Sequence, residues 1–266
     1  MPSYLITGAS RGLGYVFIRH LAAIPGNTIF GMVRNKEATL ARLEKDGITN
    51  VRLVEADITD REALNAAYAK IADINKGSLD VLINNAGLVN ERSAYKTLVD
   101  DEPTALEDDL MTSFRANVVG VANTVNTFLP LLRAGSEKKV ITISTGMSDT
   151  DLINRFSIPI AAPYSISKAA TNALVAKYNA ALGSEGILFM ALSPGLVDTS
   201  EGKPMTEQQL QGAQAMGAMF QDYAPDFKGP ITTEESVKMC LKVIDGATVQ
   251  TYGGAFVSHL GNKQWL

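Results

Sequence analysis

Short apolar, β-rich runs alternate with stretches of helical periodicity from the start of the chain. "SYLITG" (3–8) reads as a buried strand ending in glycine. Leu13, Val16, Phe17, Leu21 and Ile24 then recur at helical spacing until Pro25-Gly26 stops the run. "TIFGMVR" (28–34) and "VRLVEAD" (51–57) read as the next two strands, with a helix over 36–46 between them. A helix over 60–75 leads to the strand "LDVLINNAG" (79–87), and one long helix is expected through 104–132. The strand "KKVITIST" (138–145), an alanine-rich helix over 163–183, the strand "ILFMALSPG" (187–195), a helix over 233–245 and the strand "GAFVSH" (254–259) complete the pattern. Strand–helix alternation with short connections implies parallel strands and crossover helices on both faces. The expectation is one α/β domain over 1–266, doubly wound and Rossmann-type, with a mainly parallel sheet of about seven strands. The stretch 196–232, rich in Gly, Pro and Met, shows no clear period and reads as an irregular insertion.

Composition narrows the function. Apolar residues make up 46% and charged residues 20%, which describes a folded globular protein. A net charge of −4 argues against nucleic acid as a partner. The single cysteine, Cys240, allows no internal disulfide, and His20 and His259 are too isolated to suggest a metal site. No apolar run is long enough to span a membrane, and the first residues lack a signal-type pattern, so a cytoplasmic location is expected.

"TGASRGLG" (7–14) falls between the first strand and the first helix, where an open parallel sheet binds ligands and a helix N-terminus offers free N–H groups to a pyrophosphate. Gly8, Gly12 and Gly14, with Ser10, Arg11 and Leu13 between them, would form that turn. The spacing is G-x-x-x-G-x-G rather than G-x-G-x-x-G. An acidic residue about 20 positions beyond such a turn selects NAD by bonding the ribose 2′-hydroxyl. Here that position is Arg34, followed by Asn35 and Lys36. Cations at Arg11 and Arg34 suit a 2′-phosphate, so NADP(H) is the expected cofactor; exposed helix-start charges are the alternative.

Seven motifs in one order, over most of the chain, resemble the short-chain dehydrogenase/reductase family. They are T-G-x-x-x-G-x-G at 7–14, "AD" at 56–57, "NNAG" at 84–87, Asn117 in "ANVVG", the hydroxyl pair in "ITIST", Tyr164-x-x-x-Lys168, and "SPGLVDT" at 193–199. The resemblance implies that Asp57 and Ile58 border the adenine and that Asn85, Ala86 and Gly87 line the cofactor. It implies that Pro194, Gly195, Val197 and Thr199 face the nicotinamide. Tyr164 would protonate a carbonyl oxygen as hydride arrives from the nicotinamide. Lys168 would bond the nicotinamide ribose and lower the phenol's pKa, which is about 10 when free. Asn117 would kink its helix and hold a water near the lysine, and a hydroxyl from 144–145 would steady the oxyanion.

Relatives usually have Ser-Ser where this chain has Ser144-Thr145. Side chains alternate along a strand, so only one of the two can face the site; register favours Thr145, while Ser144 is the more usual donor. The segment 147–162 is longer than most relatives have and resembles that of carbonyl-reductase-like members, as does the C-terminal stretch with its tryptophan. Met147, Leu152, Ile153 and Phe156 from this segment, with Met205, Met216, Met219 and Phe220 from a lid at about 196–232, suggest a bulky hydrophobic ketone or aldehyde as substrate. Packing of the lid onto the body would explain the same residues. The acidic run 99–110 reads as a solvated loop with helix-start acids. The family resemblance also allows a homodimer or homotetramer through helices 104–132 and 163–183. The leading expectation is NADPH-dependent carbonyl reduction. A non-catalytic NADP(H)-binding redox sensor is the alternative, although such proteins usually lose the Tyr or Lys. An epimerase or dehydratase would generally need a longer chain.

Overall fold

Side-chain alternation along the strands puts apolar residues on both faces of a single sheet. The computed structural model describes residues 2–202 and 204–266. Strands β1 (Ser3–Thr7), β2 (Thr28–Val33), β3 (Val51–Glu55), β4 (Val81–Asn84), β5 (Lys139–Ile143) and β6 (Leu188–Ser193) follow the expected positions. After β6 come β7 (Val197–Asp198), β8 (Ile231–Thr232) and β9 (Phe256–Ser258). Seven of these strands form one sheet in the order β3-β2-β1-β4-β5-β6-β9, with every pairing parallel. The helices are α1 (Gly12–Ala22), α2 (Lys36–Lys45), α3 (Arg61–Ile74), α4 (Pro103–Phe114), α5 (Gly120–Ala134), α6 (Thr150–Phe156), α7 (Ala162–Leu182), α8 (Glu207–Tyr223), α9 (Thr233–Gly246) and α10 (Val249–Tyr252).

Ile6, Ile83, Ile141 and Met190 point to one face and meet Phe17 and Leu21 of α1 and Val237, Cys240 and Ile244 of α9. Their strand neighbours Leu5, Leu82, Val140 and Phe189 point to the other face and meet Leu64 and Ile71 of α3, Val125 and Phe128 of α5, and Val175 of α7. Burial on both faces explains why these strands read as continuous apolar runs. The strand order reverses between β1 and β4, and a crevice opens there at the carboxyl ends of the strands.

The opposite end of the sheet is held by one carboxylate. Asp80 Oδ2 accepts the Ser3 N–H and hydroxyl at 2.8 and 2.7 Å, and Oδ1 accepts the Ser136 N–H and hydroxyl, both at 2.7 Å. One side chain thus fastens the start of β1 and the α5–β5 connection to β4. Burial works to raise this carboxyl, but the Ser136 and Ser3 hydrogen bonds outweigh it and bring the pKa down from 3.8 to about 2.

The structure differs from the sequence pattern in several places, the helix α6 within 147–162 among them. The helix expected through 104–132 is two helices joined by a π-turn at Arg115–Val119, which contains Asn117. The segment 196–232 contains the 17-residue helix α8, begun by a Thr206–Gln209 capping box. The acidic run is not simply solvated. Glu102 does cap α4, accepting the Ala105 N–H, but Asp101 and Asp109 are buried partners of Arg92, Lys96, Ser93 and Ser113. Opposite charges in reach stabilise these carboxylates where water would otherwise have been needed.

The Asp80 clamp gives a direct expectation. Its contribution is fully present above the unfolded pKa and is lost as pH falls from about 4 towards about 2, amounting to about 2 kcal/mol. Asp80→Ala should cost about 2–4 kcal/mol at pH 7, because buried Ser3 and Ser136 donors lose their acceptor. Urea unfolding at pH 7 and pH 3 checks this; coincident midpoints for variant and wild type at pH 7 would show that the clamp contributes nothing.

Candidate active site

The crevice takes its floor from three loops at the carboxyl ends of β1, β4 and β5. After β1, Gly8 adopts φ +66, and a Cβ there would lie 2.9 Å from the Ala86 Cα, so the two strand exits touch. Gly14 brings α1 equally close: an added Cβ would sit 2.2 Å from the Gly8 carbonyl oxygen and 2.5 Å from the Asn85 amide. Asn85 Nδ2 donates to the Thr7 and Gly8 carbonyls at 2.9 and 3.2 Å, and Thr7 Oγ1 accepts the Asn85 and Ala86 N–H groups. Glycines are needed here for close packing as much as for the turn. Leu13 faces the core behind the turn, whereas Ser10 and Arg11 are exposed on it.

The Gly12 N–H at the start of α1 is aimed outwards and meets the Glu201 carboxylate at 3.3 Å. An anionic oxygen at this helix terminus occupies the sort of place a phosphate oxygen would take. Arg34 beyond β2 is 81% exposed, with Asp57 3.9 Å away as its only acidic neighbour within ion-pair range among the described residues. Burial raises the Asp57 carboxyl, but the Thr59 N–H and hydroxyl, with Arg34 and Arg115, outweigh it and leave its pKa lowered. Ile58 is buried, its side chain packed against Gly120 of α5.

Tyr164 and Lys168 lie one turn apart on α7, on the face turned to the end of β5. Lys168 is 3% exposed, and its Nζ donates to the Ile143 carbonyl at 2.7 Å. Gly87 leaves room beside it, since an added Cβ would be 3.3 Å from that ammonium. Burial pushes the lysine down from 10.5 to about 8. The expectation that Lys168 lowers the Tyr164 pKa needs correction. Burial pushes the phenol up to about 12, and the only opposing influence is the Thr145 hydroxyl. The lysine hydrogen-bonds to a carbonyl instead, with its ammonium 5.8 Å from the centroid of the tyrosine ring.

Backbone alternation separates the two hydroxyls after β5. Ser144 Oγ donates to Asn172 Oδ1 at 2.7 Å and lies 3.4 Å from Ser148 Oγ, buried between strand and helix. Thr145 faces the phenol; its Oγ1 accepts the Met147 N–H at 3.3 Å, which leaves its own O–H free to donate elsewhere. Asn117 in the π-turn is fully buried. Its amide exchanges two bonds with the Leu88 backbone, at 2.7 and 2.9 Å, and donates to Ser167 Oγ at 2.9 Å. Ser167 in turn donates to the Tyr164 carbonyl at 2.7 Å, so Asn117 reaches the tyrosine through the backbone of α7 rather than through Lys168.

The wall beyond β6 is the SPGLVDT segment. The Pro194 carbonyl accepts the Ser236 hydroxyl at 2.7 Å, Val197 pairs with Ile231 in the short β7–β8 ladder, and Thr199 lies beside Gly12. Gly195, at φ +85, lies close against the buried imidazole of His259, whose Cε1 would be 2.9 Å from an added Cβ. A cavity of about 40 Å³ next to Thr145 is lined by Gly146, Met147, Leu152, Phe220, Tyr223 and Trp265, among others. Trp265 stacks on Phe256 at 4.4 Å and crowds Gly146, and its backbone N–H donates to Tyr223 Oη at 2.9 Å. Of the apolar residues picked out for the substrate side, Met147, Leu152, Phe156, Met216 and Phe220 join this cluster; Met205 is half-exposed. Asn172, Ser148 and Tyr223 carried no motif and were not anticipated. Among the described residues no group of acidic, histidine or cysteine side chains could hold a metal ion, and no helix is long and apolar enough to cross a membrane.

A parallel, doubly wound sheet with a glycine turn, a Tyr-Lys pair and a strand-end hydroxyl at its switch point defines a dinucleotide-dependent oxidoreductase architecture. The family model for short chain dehydrogenases matches residues 3–210. The chain is 54% identical over 267 residues to the short-chain dehydrogenase/reductase AacuF of Aspergillus aculeatus and 44% identical over 271 residues to the short chain dehydrogenase virK of Hypocrea virens, each match covering all of both chains. NADPH-bound carbonyl reductase from chicken fatty liver shares the fold at a TM-score of 0.77 with 25% identity, over 98% of each chain. A Burkholderia cenocepacia gluconate 5-dehydrogenase in complex with NADP and tartrate has a TM-score of 0.74 and 26% identity, over 97% of this chain and 92% of that one. The chain belongs to the short-chain dehydrogenase/reductase family.

The different surroundings of the two hydroxyls can be tested. Thr145→Ala should lower turnover about 10²–10³-fold, as loss of a donor to a developing oxyanion does. Ser144→Ala should leave turnover within a few-fold but cost about 1–2 kcal/mol of stability, since Asn172 Oδ1 loses its donor. Steady-state rates and thermal melts on both variants check this; the reverse pattern would put Ser144 in the site.

Proposed function

We propose that this enzyme reduces a bulky hydrophobic ketone or aldehyde to the alcohol, with NADPH as hydride donor. The observation that carries the reading is that Thr145 lines an apolar cavity and bonds the Tyr164 phenol, with Lys168 buried one turn further along α7. The residues present fit the cofactor. The Gly8–Gly14 turn and the Gly12 N–H would receive its pyrophosphate, exposed Arg11 and Arg34 its 2′-phosphate, and Asp57 with the Ile58 backbone its adenine end. Asn85, Ala86 and Gly87 would border its ribose beside Lys168, and Pro194, Gly195, Val197 and Thr199 its nicotinamide. NADP(H) in the solved relatives agrees with this choice. Bound there, NADPH would supply the hydride.

The chain's own groups do the rest. Burial keeps Tyr164 protonated throughout the neutral range, which is the form a proton donor needs in the reductive direction. Thr145 donates to the carbonyl oxygen as charge builds on it, and Tyr164 transfers its phenolic proton to that oxygen. Lys168, charged below about 8, favours the phenolate left behind and would hold the nicotinamide ribose. Asn117 fixes the Tyr164 backbone through Ser167. Because the cavity of about 40 Å³ holds water but no organic carbonyl compound, α8 swings away from Trp265 to admit substrate, and 196–232 acts as the lid of a single catalytic domain.

NADPH oxidation against aromatic, quinone and aliphatic carbonyls, run beside Tyr164→Phe, tests the reading. The variant should lose about 10²–10⁴-fold in kcat and keep NADPH binding within a few-fold. Activity confined to small charged keto acids would overturn the substrate class. NADPH binding without turnover of any carbonyl would favour a redox-sensing role on the same fold. The kcat/KM profile should fall as pH rises through about 8, where Lys168 loses its proton. A profile flat to pH 10 would remove the lysine from this role.

A further inference from the structure

We propose that Arg42 on α2 binds a phosphate group of the dinucleotide, and that Glu201 from the lid holds that phosphate's place until the cofactor arrives. The inference rests on the dinucleotide-binding reading above and extends it to two residues outside the family's motifs. One oxygen carries the argument. Glu201 Oε1 accepts the Gly12 N–H at 3.3 Å and Arg42 Nη1 at 2.9 Å, so a helix-terminal amide and a guanidinium converge on a single anionic oxygen. Those two donors suit a phosphate oxygen at least as well as a carboxylate.

Arg42 is held in position independently of its acid. Its guanidinium lies over the Tyr15 ring, 3.9 Å from the centroid, and Nη1 also donates to the Ser10 carbonyl in the glycine turn at 3.3 Å. The Tyr15 hydroxyl is bonded to Asp46 Oδ2 at 2.6 Å, which fixes the platform itself. Glu201 is held less firmly. It takes a left-handed backbone, φ +53, that a non-glycine residue adopts at a cost, and Gly202 follows at φ +79. Burial raises the Glu201 carboxyl, but Arg42, the Gly12 N–H and Arg11 outweigh it, so the group is an anion at neutral pH. A rigid cationic socket thus faces an anionic plug on a strained turn. A phosphate brings more charge and more acceptor oxygens than the carboxylate it displaces, and the plug's departure frees the first turn of the lid, where Thr199 lies against Gly12.

Dissociation constants for NADPH and NADH, measured by fluorescence titration on wild type, Glu201→Gln, Arg42→Leu and Arg42→Lys, test the proposal. Glu201→Gln should bind NADPH about 3–10-fold more tightly, and Arg42→Leu about tenfold more weakly, with Arg42→Lys between it and wild type. A loss shared equally by NADPH and NADH would assign Arg42 to the pyrophosphate; a loss confined to NADPH would assign it to the 2′-phosphate. Either supports the proposal. Glu201→Gln, which leaves Tyr15 and Arg42 in place, keeps the test valid if Arg42→Leu folds poorly. Glu201→Gln and Arg42→Lys both within twofold of wild type would overturn the inference while leaving the proposed reduction intact. Hydrogen exchange gives a second readout: amides 198–202 should exchange faster in Glu201→Gln and in the NADPH complex than in the free enzyme. No change in either would remove the placeholder role. Wild-type protein that binds neither dinucleotide would overturn the functional reading and this inference together.

Discussion

An ammonium group with 3% of its residue exposed must be compensated by something other than water, and Lys168 is compensated by the Ile143 carbonyl. The rest of the site depends on that bond. It pins the first turns of α7 to the end of β5, which fixes where Tyr164 stands one turn earlier. It also fixes the residues that follow Ile143: with the strand end tied down, alternation sends Ser144 towards Asn172 and Thr145 towards the phenol. The glycine turn after β1 and the exit of β4 are joined to the same region through Thr7, Asn85 and Gly87. The groups proposed to react therefore stand on α7 and just past the tied-down end of β5, both packed on a two-sided core.

The same burial that positions these groups sets their protonation. Removing water raises the tyrosine and lowers the lysine, because in each case it is the charged form that suffers. The pair is then a neutral acid next to a cation of reduced basicity.

The fold was largely legible in the chain because buried parallel strands leave continuous apolar runs and the crossover helices carry clear periods. Boundaries erred where strand-end loops such as 85–87 and 194–195 follow the last paired residue directly. α8 was hidden because its inward stripe is narrow: Met216, Phe220 and Tyr223 among glycines and glutamines. Its Thr206–Gln209 capping box was the available sign. α6 likewise announced itself only by Asp149, which caps it. In the site, the motif positions could be named from the family resemblance, and the geometry separates Ser144 from Thr145. The partners that decide that separation, Asn172 and Ser148, belong to no pattern. Neither do Glu201 and Arg42, which are 159 positions apart and meet only once the segment after β7 is folded back on the sheet.

The two-residue ladder between β7 and β8 has a consequence for how such a protein can change. Val197 pairs with Ile231 and Asp198 with Thr232, so the polypeptide leaves the scaffold and returns to it at the same point. What lies between is a detachable module whose ends are already joined, and adding or removing residues there costs little closure entropy. Its contents can be rewritten, lengthened or exchanged without disturbing the sheet. A lineage built on this scaffold can therefore alter the segment that covers the Thr145 cavity while leaving Tyr164 and Lys168 untouched, and a designer could graft at the same two seams.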